Sequence, residues 1–488
     1  MNFHHILPRL SIMATAVALT ACAAVPDEPP FRIESPPLTF AQGHGLARGA
    51  HAQSDWWTVL HDPVLEALIA QGLGANLDLQ QAAQRVQRSR ALAAGRRADR
   101  RPSGDVSVGG QANQFSVAEM PGLESADRRD FKLTAGLGLS WELDLFGRLD
   151  QLAQAAEARS AAVAADAEAL RLAIGAEIAH VWFALNGARE QLQLSRSVLE
   201  NRSATLSLAL RRVNAGYNAP LDEARARADL AAAESDLPEH EAALTVSTHR
   251  LALLLGVNPS SYTAPAATNA RPQSIALHIP DPAQWMALRP DLKAAEAQLH
   301  AQALDVAAVR AEFMPRLSLG GVLSFVAGSV SGLGAASSAS WFLAPRISVP
   351  VFDQGRINAR LQAAQADQRE ALLAYRQRVL LATEEVENAL VRVRQGQLRL
   401  VALQDRAHHA GVAERLARKR FEAGTSDQLE LLDAQRIAQQ AELGLSVALT
   451  GQRQLVVALH RALGARFIPA ANEAQVLSLA TAAWAEQP

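Results

Sequence analysis

Two neighbouring histidines, His408 and His409, are the first candidates for metal chemistry in this 488-residue chain. Adjacent side chains on a helix diverge by about 100°, so the pair makes a poor chelate and reads as solvated helix surface. His4 and His5 fall in an N-terminal stretch expected to be removed. There is no nucleophile–base arrangement, no glycine-rich phosphate loop and no metal-ligand spacing. The residues give catalysis no support, and neither a metal nor a small-molecule cofactor is expected.

One side chain does have an expected covalent chemistry. Cys22 is the sole cysteine, so no intramolecular disulfide can form. It ends an apolar run, LSIMATAVALTA over 10–21, of the length of an export-signal core. The ending Leu19-Thr20-Ala21-Cys22 resembles a bacterial lipoprotein box, in which the thiol takes diacylglycerol and the new N-terminus is acylated. Ala23 and Ala24 follow with no aspartate, which in such lipoproteins implies sorting to the outer membrane. Residues 1–21 are therefore expected to be signal peptide, and 22–55, proline-rich at its start, a lipidated tether.

The other residues of interest are glycines and acids in two short breaks, VNAGYNAPLDEARAR (213–227) and FEAGTSDQLELLDAQ (421–435). Gly216 and Gly424 suit left-handed helix ends, and Asn218 with Pro220, and Ser426 or Asp427, suit the start of a returning helix. The elements around them are long. From Arg148 to Asn214 nothing strongly interrupts a helix, and 67 residues at 1.5 Å each reach roughly 100 Å. Ile178, Leu185, Leu192, Leu199, Leu206 and Val213 recur every seven residues, a coiled-coil seam, and Val379, Val386, Val393 and Leu400 repeat it. Helices of this kind need the returning segments, about 220–255 and 427–463, as partners.

A second pattern does not fit a helix. In FKLTAGLGLSWELDLFG (131–147), Phe131, Leu133, Ala135, Leu137, Leu139, Trp141, Leu143 and Leu145 alternate with Lys132, Thr134, Gly136, Gly138, Ser140, Glu142 and Asp144. That is a strand with one wholly apolar and one polar face. Strands are expected at 103–118, 130–146, 316–328 and 339–351, with Pro345 and Pro350 weakening the last. No segment after the signal has the ~18–20 uninterrupted apolar residues of a spanning helix. Any membrane crossing would use strands, and four strands with open edges must close with other copies. A net charge of −2 gives nucleic acid no foothold.

Landmarks recur at fixed offsets. Arg148 and Arg356, Gly216 and Gly424, and Gly256 and Gly464 each lie 208 apart, and Asp78 and Asp291, and Pro102 and Pro315, lie 213 apart. A tandem duplication follows: a first repeat over 56–275 with a hairpin at 147–256, a second over 276–465 with a hairpin at 354–463, and a tail over 466–488. Each repeat reads helix, two strands, long helix, turn, long helix, with first helices at 63–100 and 290–314. Asp62 is the expected N-cap of the first and Pro63 its first-turn residue.

WWTVLHDPVLEALIAQGLGANLDL (56–79), SWELDLFGR (140–148), RPDLKAAEAQL (289–299), FMPRLSL (313–319) and VPVFDQGR (349–356) resemble signatures of the outer membrane factor family, the exit ducts of tripartite efflux systems. The resemblance runs in order through nearly the whole chain. It implies an α+β membrane protein: a homotrimer whose twelve strands, four per chain, form one β-barrel continued by a periplasmic α-helical coiled-coil barrel. It implies an inner-membrane pump and a periplasmic adaptor as partners, outer-membrane lipid around the barrel, and small molecules as cargo. Leu137, Leu139, Trp141 and Leu143 would face lipid. Gly216, Tyr217, Gly424 and Thr425 would meet the adaptor. By position, Leu429, Glu430 and Asp433 would constrict the periplasmic mouth, with closure pairing tip carboxylates to arginines such as Arg225, near Asp222. The same architecture could serve type I protein secretion, although the lipoprotein box leans toward small molecules. A purely structural coiled-coil lipoprotein would have no need of lipid-facing strands.

Overall fold

The computed structural model describes residues 40–41, 43, 47–48, 56–215, 220–266, 278–279 and 282–464. Cys22, the signal peptide, Gly216, Tyr217 and the tail after 464 lie outside the described residues.

In the first repeat, α1 (Pro63–Ala75) and α2 (Leu77–Ala98) precede strands β1 (Ser103–Gln114) and β2 (Arg129–Leu143), followed by α3 (Arg148–Asn214) and α4 (Pro220–Leu254). In the second, α5 (Pro282–Leu288) and α6 (Pro290–Ala311) precede β3 (Arg316–Ala327) and β4 (Ala339–Ser348), then α7 (Gln354–Glu422) and α8 (Gln428–Ala462). A two-residue parallel bridge joins Ala47–Arg48 to His278–Ile279.

The helix expected over 63–100 is in fact two. Asn76 interrupts it with an extended backbone, and its Oδ1 accepts from Asp78 N and Leu79 N to start α2. Its Nδ2 donates 2.9 Å to the carbonyl of Leu254, an otherwise unsatisfied group at the end of α4. Arg289, 213 residues later (289 − 76), stands at the matching break between α5 and α6. Its Nη1 donates 2.8 Å to the carbonyl of Ala462, at the end of α8. Both breaks thus close the C-terminus of a returning helix, and Pro290 disfavours helical backbone at Arg289. Asp62 caps α1 as expected, accepting from Val64 N and Leu65 N, and its Oδ2 also accepts from Trp182 Nε1 at 2.7 Å.

The chain forms two compact units. One comprises 85–164 and 294–376 and holds the sheet, in antiparallel order β1-β2-β3-β4. Register makes its two faces chemically distinct. Val106, Leu137 and Leu323 align with Trp341, and Gly104, Leu139 and Gly321 with Leu343. Facing the other way, Ser107 pairs with Gly136 and Ser324 with Ser340. Val106, Val108, Leu137, Trp341, Leu343 and Ile347 all lie at least half exposed. The strands end earlier than expected at 114, 143, 327 and 348. Beyond β2, Asp144 Oδ2 accepts from Asp150 N at 2.7 Å and Arg148 grips Glu142 through Nε and Nη2, turning strand into helix. Pro345 lies in β4, an edge strand, where a missing N–H is tolerated.

The other unit comprises the described residues before 85, together with 165–293 and 377–464. Its larger core gathers Trp56, Leu65, Ile69, Ile178, Trp182, Leu185, Leu251 and Leu255, and a second gathers Trp285, Leu292, Val386, Val393 and Leu459. Of the expected seam residues, Ile178, Leu185, Leu192, Val386, Val393 and Leu400 are buried, whereas Leu199, Leu206, Val213 and Val379 are half-buried within the single chain.

Candidate functional site: the helical tips

The turn between α7 and α8 is built by local rules. Gly424 has φ +73°, a conformation that favours glycine. Its N–H donates to Phe421 O at 3.1 Å and the Thr425 N–H to Arg420 O at 2.9 Å, the paired bonds of a Schellman end. The Thr425 hydroxyl donates to the same Arg420 carbonyl at 3.0 Å. Asp427, rather than Ser426, caps α8, accepting from Glu430 N at 2.9 Å. Gly424 and Thr425, both exposed, are thus presented on a rigid turn.

The acidic residues are spread along the start of α8. Glu430 lies in its first turn and accepts from Arg420 Nη1 at 2.5 Å. Asp433 accepts from Arg436 Nη2 at 2.6 Å. Leu429 is half exposed. Arg225 lies 3.9 Å from Asp222 on its own helix, so within one chain the structure does not join Arg225 to Glu430 or Asp433. The Arg420–Glu430 and Arg436–Asp433 pairs are exposed, so each contributes little to stability by itself.

Three features escape sequence reasoning. First, Arg212 near the end of α3 donates to Phe421 O at 3.1 Å and places its guanidinium 3.9 Å from the Phe421 ring centre. Phe421 is buried with Ala417 and Leu431. Second, Arg202 is buried, with Nη1 donating 3.0 Å to Gln435 Oε1 and Nη2 donating 3.2 Å to Gln439 Oε1. Burial pulls its pKa down, and Asp229, 3.9 Å away, opposes that. A signal for it existed: Val181, Ala188, Ser195, Arg202 and Ala209 are spaced by seven and all buried, so an arginine occupies a seam position. Third, His460 stacks on Trp56 at 5.5 Å between ring centres, its Nε2 enclosed without a hydrogen-bond partner. Burial lowers its pKa to about 4. A lone histidine in the last turn of a helix carries no comparable signal.

On the apolar face of the sheet, Leu137 and Leu139 project into the open. Leu143 and Trp141 are partly covered, and Trp141 Nε1 donates 3.0 Å to the Arg100 carbonyl, just before β1. A tryptophan satisfied by backbone at a strand's end suits an interfacial position. His408 and His409 lie exposed on α7 with their rings edge to face. Among the described residues no helix is long and apolar enough to cross a membrane.

Known proteins share this arrangement. The sequence profile of the family described as outer membrane efflux protein matches residues 68–257 and 282–465. The chain is 31% identical to outer membrane protein OprJ of Pseudomonas aeruginosa, covering 94% of this chain and 96% of that protein. It is 30% identical to the cation efflux system protein CusC of Escherichia coli, covering 88% of this chain and 92% of that protein. The solved outer-membrane channel OprN superimposes with a TM-score of 0.83 at 34% identity, covering 90% of this chain and 99% of that one.

Proposed function

The chain belongs to the outer membrane efflux protein family, and on that premise we propose that it is the trimeric exit duct of a tripartite efflux system. It is an outer-membrane efflux component with the fold of the outer-membrane channels. One observation supports the rest of the reading: a four-stranded sheet with one continuous apolar face and two unpaired edges, β1 and β4. In lipid those edges must pair. Three copies give a closed barrel of twelve strands, a permitted even number. Leu137, Leu139, Trp141 and Leu143 then face lipid, and the polar parity lines a wet lumen. Conduction is passive. An inner-membrane pump supplies energy and selects small-molecule cargo, and a periplasmic adaptor couples the two.

The tips are the working end. Leu429, Glu430 and Asp433, with Arg225 and Asp222 of neighbouring hairpins, form the periplasmic gate. Three symmetry-related Asp433 carboxylates near one axis repel one another, so closure depends on bonds to arginine. Gly216, Tyr217, Gly424 and Thr425 are adaptor contacts. Cys22 carries the diacylglycerol and N-acyl chains that anchor the mature N-terminus to the outer membrane. Tandem duplication accounts for the repeated order of elements.

Planar-bilayer conductance of the purified protein tests the duct and its gate together. Low conductance in the wild type and a clear rise in Leu429→Ala/Asp433→Ala is the expected result. No conductance in either, despite verified insertion, removes the duct.

A further inference from the structure

We propose that Arg202 is a positioning residue for the gate, fixing the register of α8 against α3 from inside the coiled-coil seam. The proposal rests on the gate reading above and extends it to a residue away from the tip.

Arg202 occupies a seam otherwise filled by Val181, Ala188, Ser195 and Ala209, all buried. A charge at such a position is costly unless its donors are satisfied, and satisfaction is possible in few alignments of the helices. Here two donors are used on one neighbour. Nη1 and Nη2 reach Gln435 and Gln439, residues one turn apart on the same face of α8. Asp229 of α4 stands 3.9 Å away and supplies the counter-charge. Three helices therefore meet on one guanidinium. Gln435 is itself buried, so a slide or rotation of α8 would leave its buried side-chain oxygen and a buried cation without partners.

The placement gives this anchor its consequence. Asp433 precedes Gln435 by two residues, and Leu429 precedes it by six, on the same continuous helix. The local pairs at the tip, Glu430 with Arg420 and Asp433 with Arg436, are exposed and join α8 only to itself or to α7. They do not fix its register against α3. Further from the tip Ser446 donates to Glu190 Oε2 and Gln454 to the His180 carbonyl, each at 3.3 Å; Arg202 is the charged anchor nearer the tip, and it holds Leu429 and Asp433 at the height closure requires. A planar guanidinium addresses both glutamines from two fixed nitrogens, whereas a lysine, a point charge with one nitrogen, cannot reproduce that fork.

The test is single-channel recording of the full-length lipidated protein in planar bilayers, with Leu429→Ala/Asp433→Ala as the open reference. Arg202→Met, which keeps bulk and removes the donors, is expected to raise the open-to-closed ratio about tenfold, with a modest loss of thermal stability from the buried Gln435 oxygen left without its donor. Arg202→Lys should fall between it and wild type. Gln435→Leu/Gln439→Leu should open the channel to a similar extent, and combining these with Arg202→Met should add nothing further. Wild-type gating in Arg202→Met, while the reference opens, overturns the anchor and leaves the gate standing. Full additivity also overturns it, since independent loosening would then explain both variants. If neither Arg202→Met nor the reference opens, the gate itself is misplaced. Should Arg202→Met fail to insert, the glutamine pair decides by the same criterion.

Discussion

The Arg212 guanidinium lies 3.9 Å from the Phe421 ring centre and donates to the same residue's carbonyl at 3.1 Å. The end of α3 thereby closes the end of α7 with one side chain, satisfying a carbonyl in the last turn of a 69-residue helix. Removing it uncovers the ring face and leaves the carbonyl with the Gly424 N–H as its donor. Arg212→Ala is expected to cost about 1–2 kcal/mol locally. Hydrogen exchange should quicken at the amides of 419–425 and not at the sheet; unchanged protection there would show that the contact holds nothing.

Gly424 has open space around it, so a methyl group meets no neighbour, but its φ of +73° disfavours L-residues. Gly424→Ala should therefore destabilise the turn by about 1–2 kcal/mol through backbone strain alone. Gly424→Asn should cost less, because asparagine tolerates the left-handed region. Thermal denaturation of the three proteins checks the order; equal penalties would mean that the left-handed φ does not set the cost.

His460 makes stability pH-dependent. Its folded pKa of about 4 lies below the ordinary value of 6.5, so the unfolded chain takes up a proton that the folded ring refuses. Its contribution is complete above pH 6.5, declines by at most about 1.4 kcal/mol per unit down to about 4, and is flat below that. His460→Phe, which keeps the stack on Trp56, should reduce the slope of stability between those limits. Parallel pH profiles for the two proteins would count against burial of a neutral imidazole.

The two faces of the sheet should answer differently to charge. Leu137→Arg puts a cation on the apolar face and should lower folding stability in vesicles by about 2–4 kcal/mol if the residue sits near mid-membrane. Thr134→Arg, three residues away on the polar face, should be tolerated. Denaturant titrations in lipid separate the cases, and equal losses would contradict a lipid-facing and lumen-facing division.

Among the described residues of one chain, the acidic partner of Arg225 is Asp222, at 3.9 Å. Its expected work is therefore between copies. A double-mutant cycle on closed-state lifetime, using Arg225→Ala with Asp433→Ala and with Glu430→Ala, should return coupling to at least one carboxylate. Simple additivity in both cycles removes the pairing.

Much of the site was legible because its rules are local. The Schellman glycine at 424, a cap at Ser426 or Asp427 and the strict alternation over 131–143 need only a few neighbouring residues to specify them. The limits of α3 from Arg148 to Asn214 follow from Asp144, Gly147 and the turn after Asn214 in the same way. The break at Asn76 was not legible. Nothing adjacent forbids a continuous helix there; the bond to Leu254, 178 residues away, is part of what makes the interruption worthwhile.

The sequence by itself determined the period of each element, the polar and apolar parity of the strands and the places where helices turn, since each depends on steric preference and solvent within a turn or two. Only the tertiary structure decided which charges are satisfied and by what. Arg202 is an ordinary arginine in sequence and a buried fork on Gln435 and Gln439 in space, and Arg225 finds Asp222 rather than Asp433. The physical reason is range. Backbone preference acts between near neighbours, whereas the burial of a charge is set by atoms that only packing brings within a few ångströms.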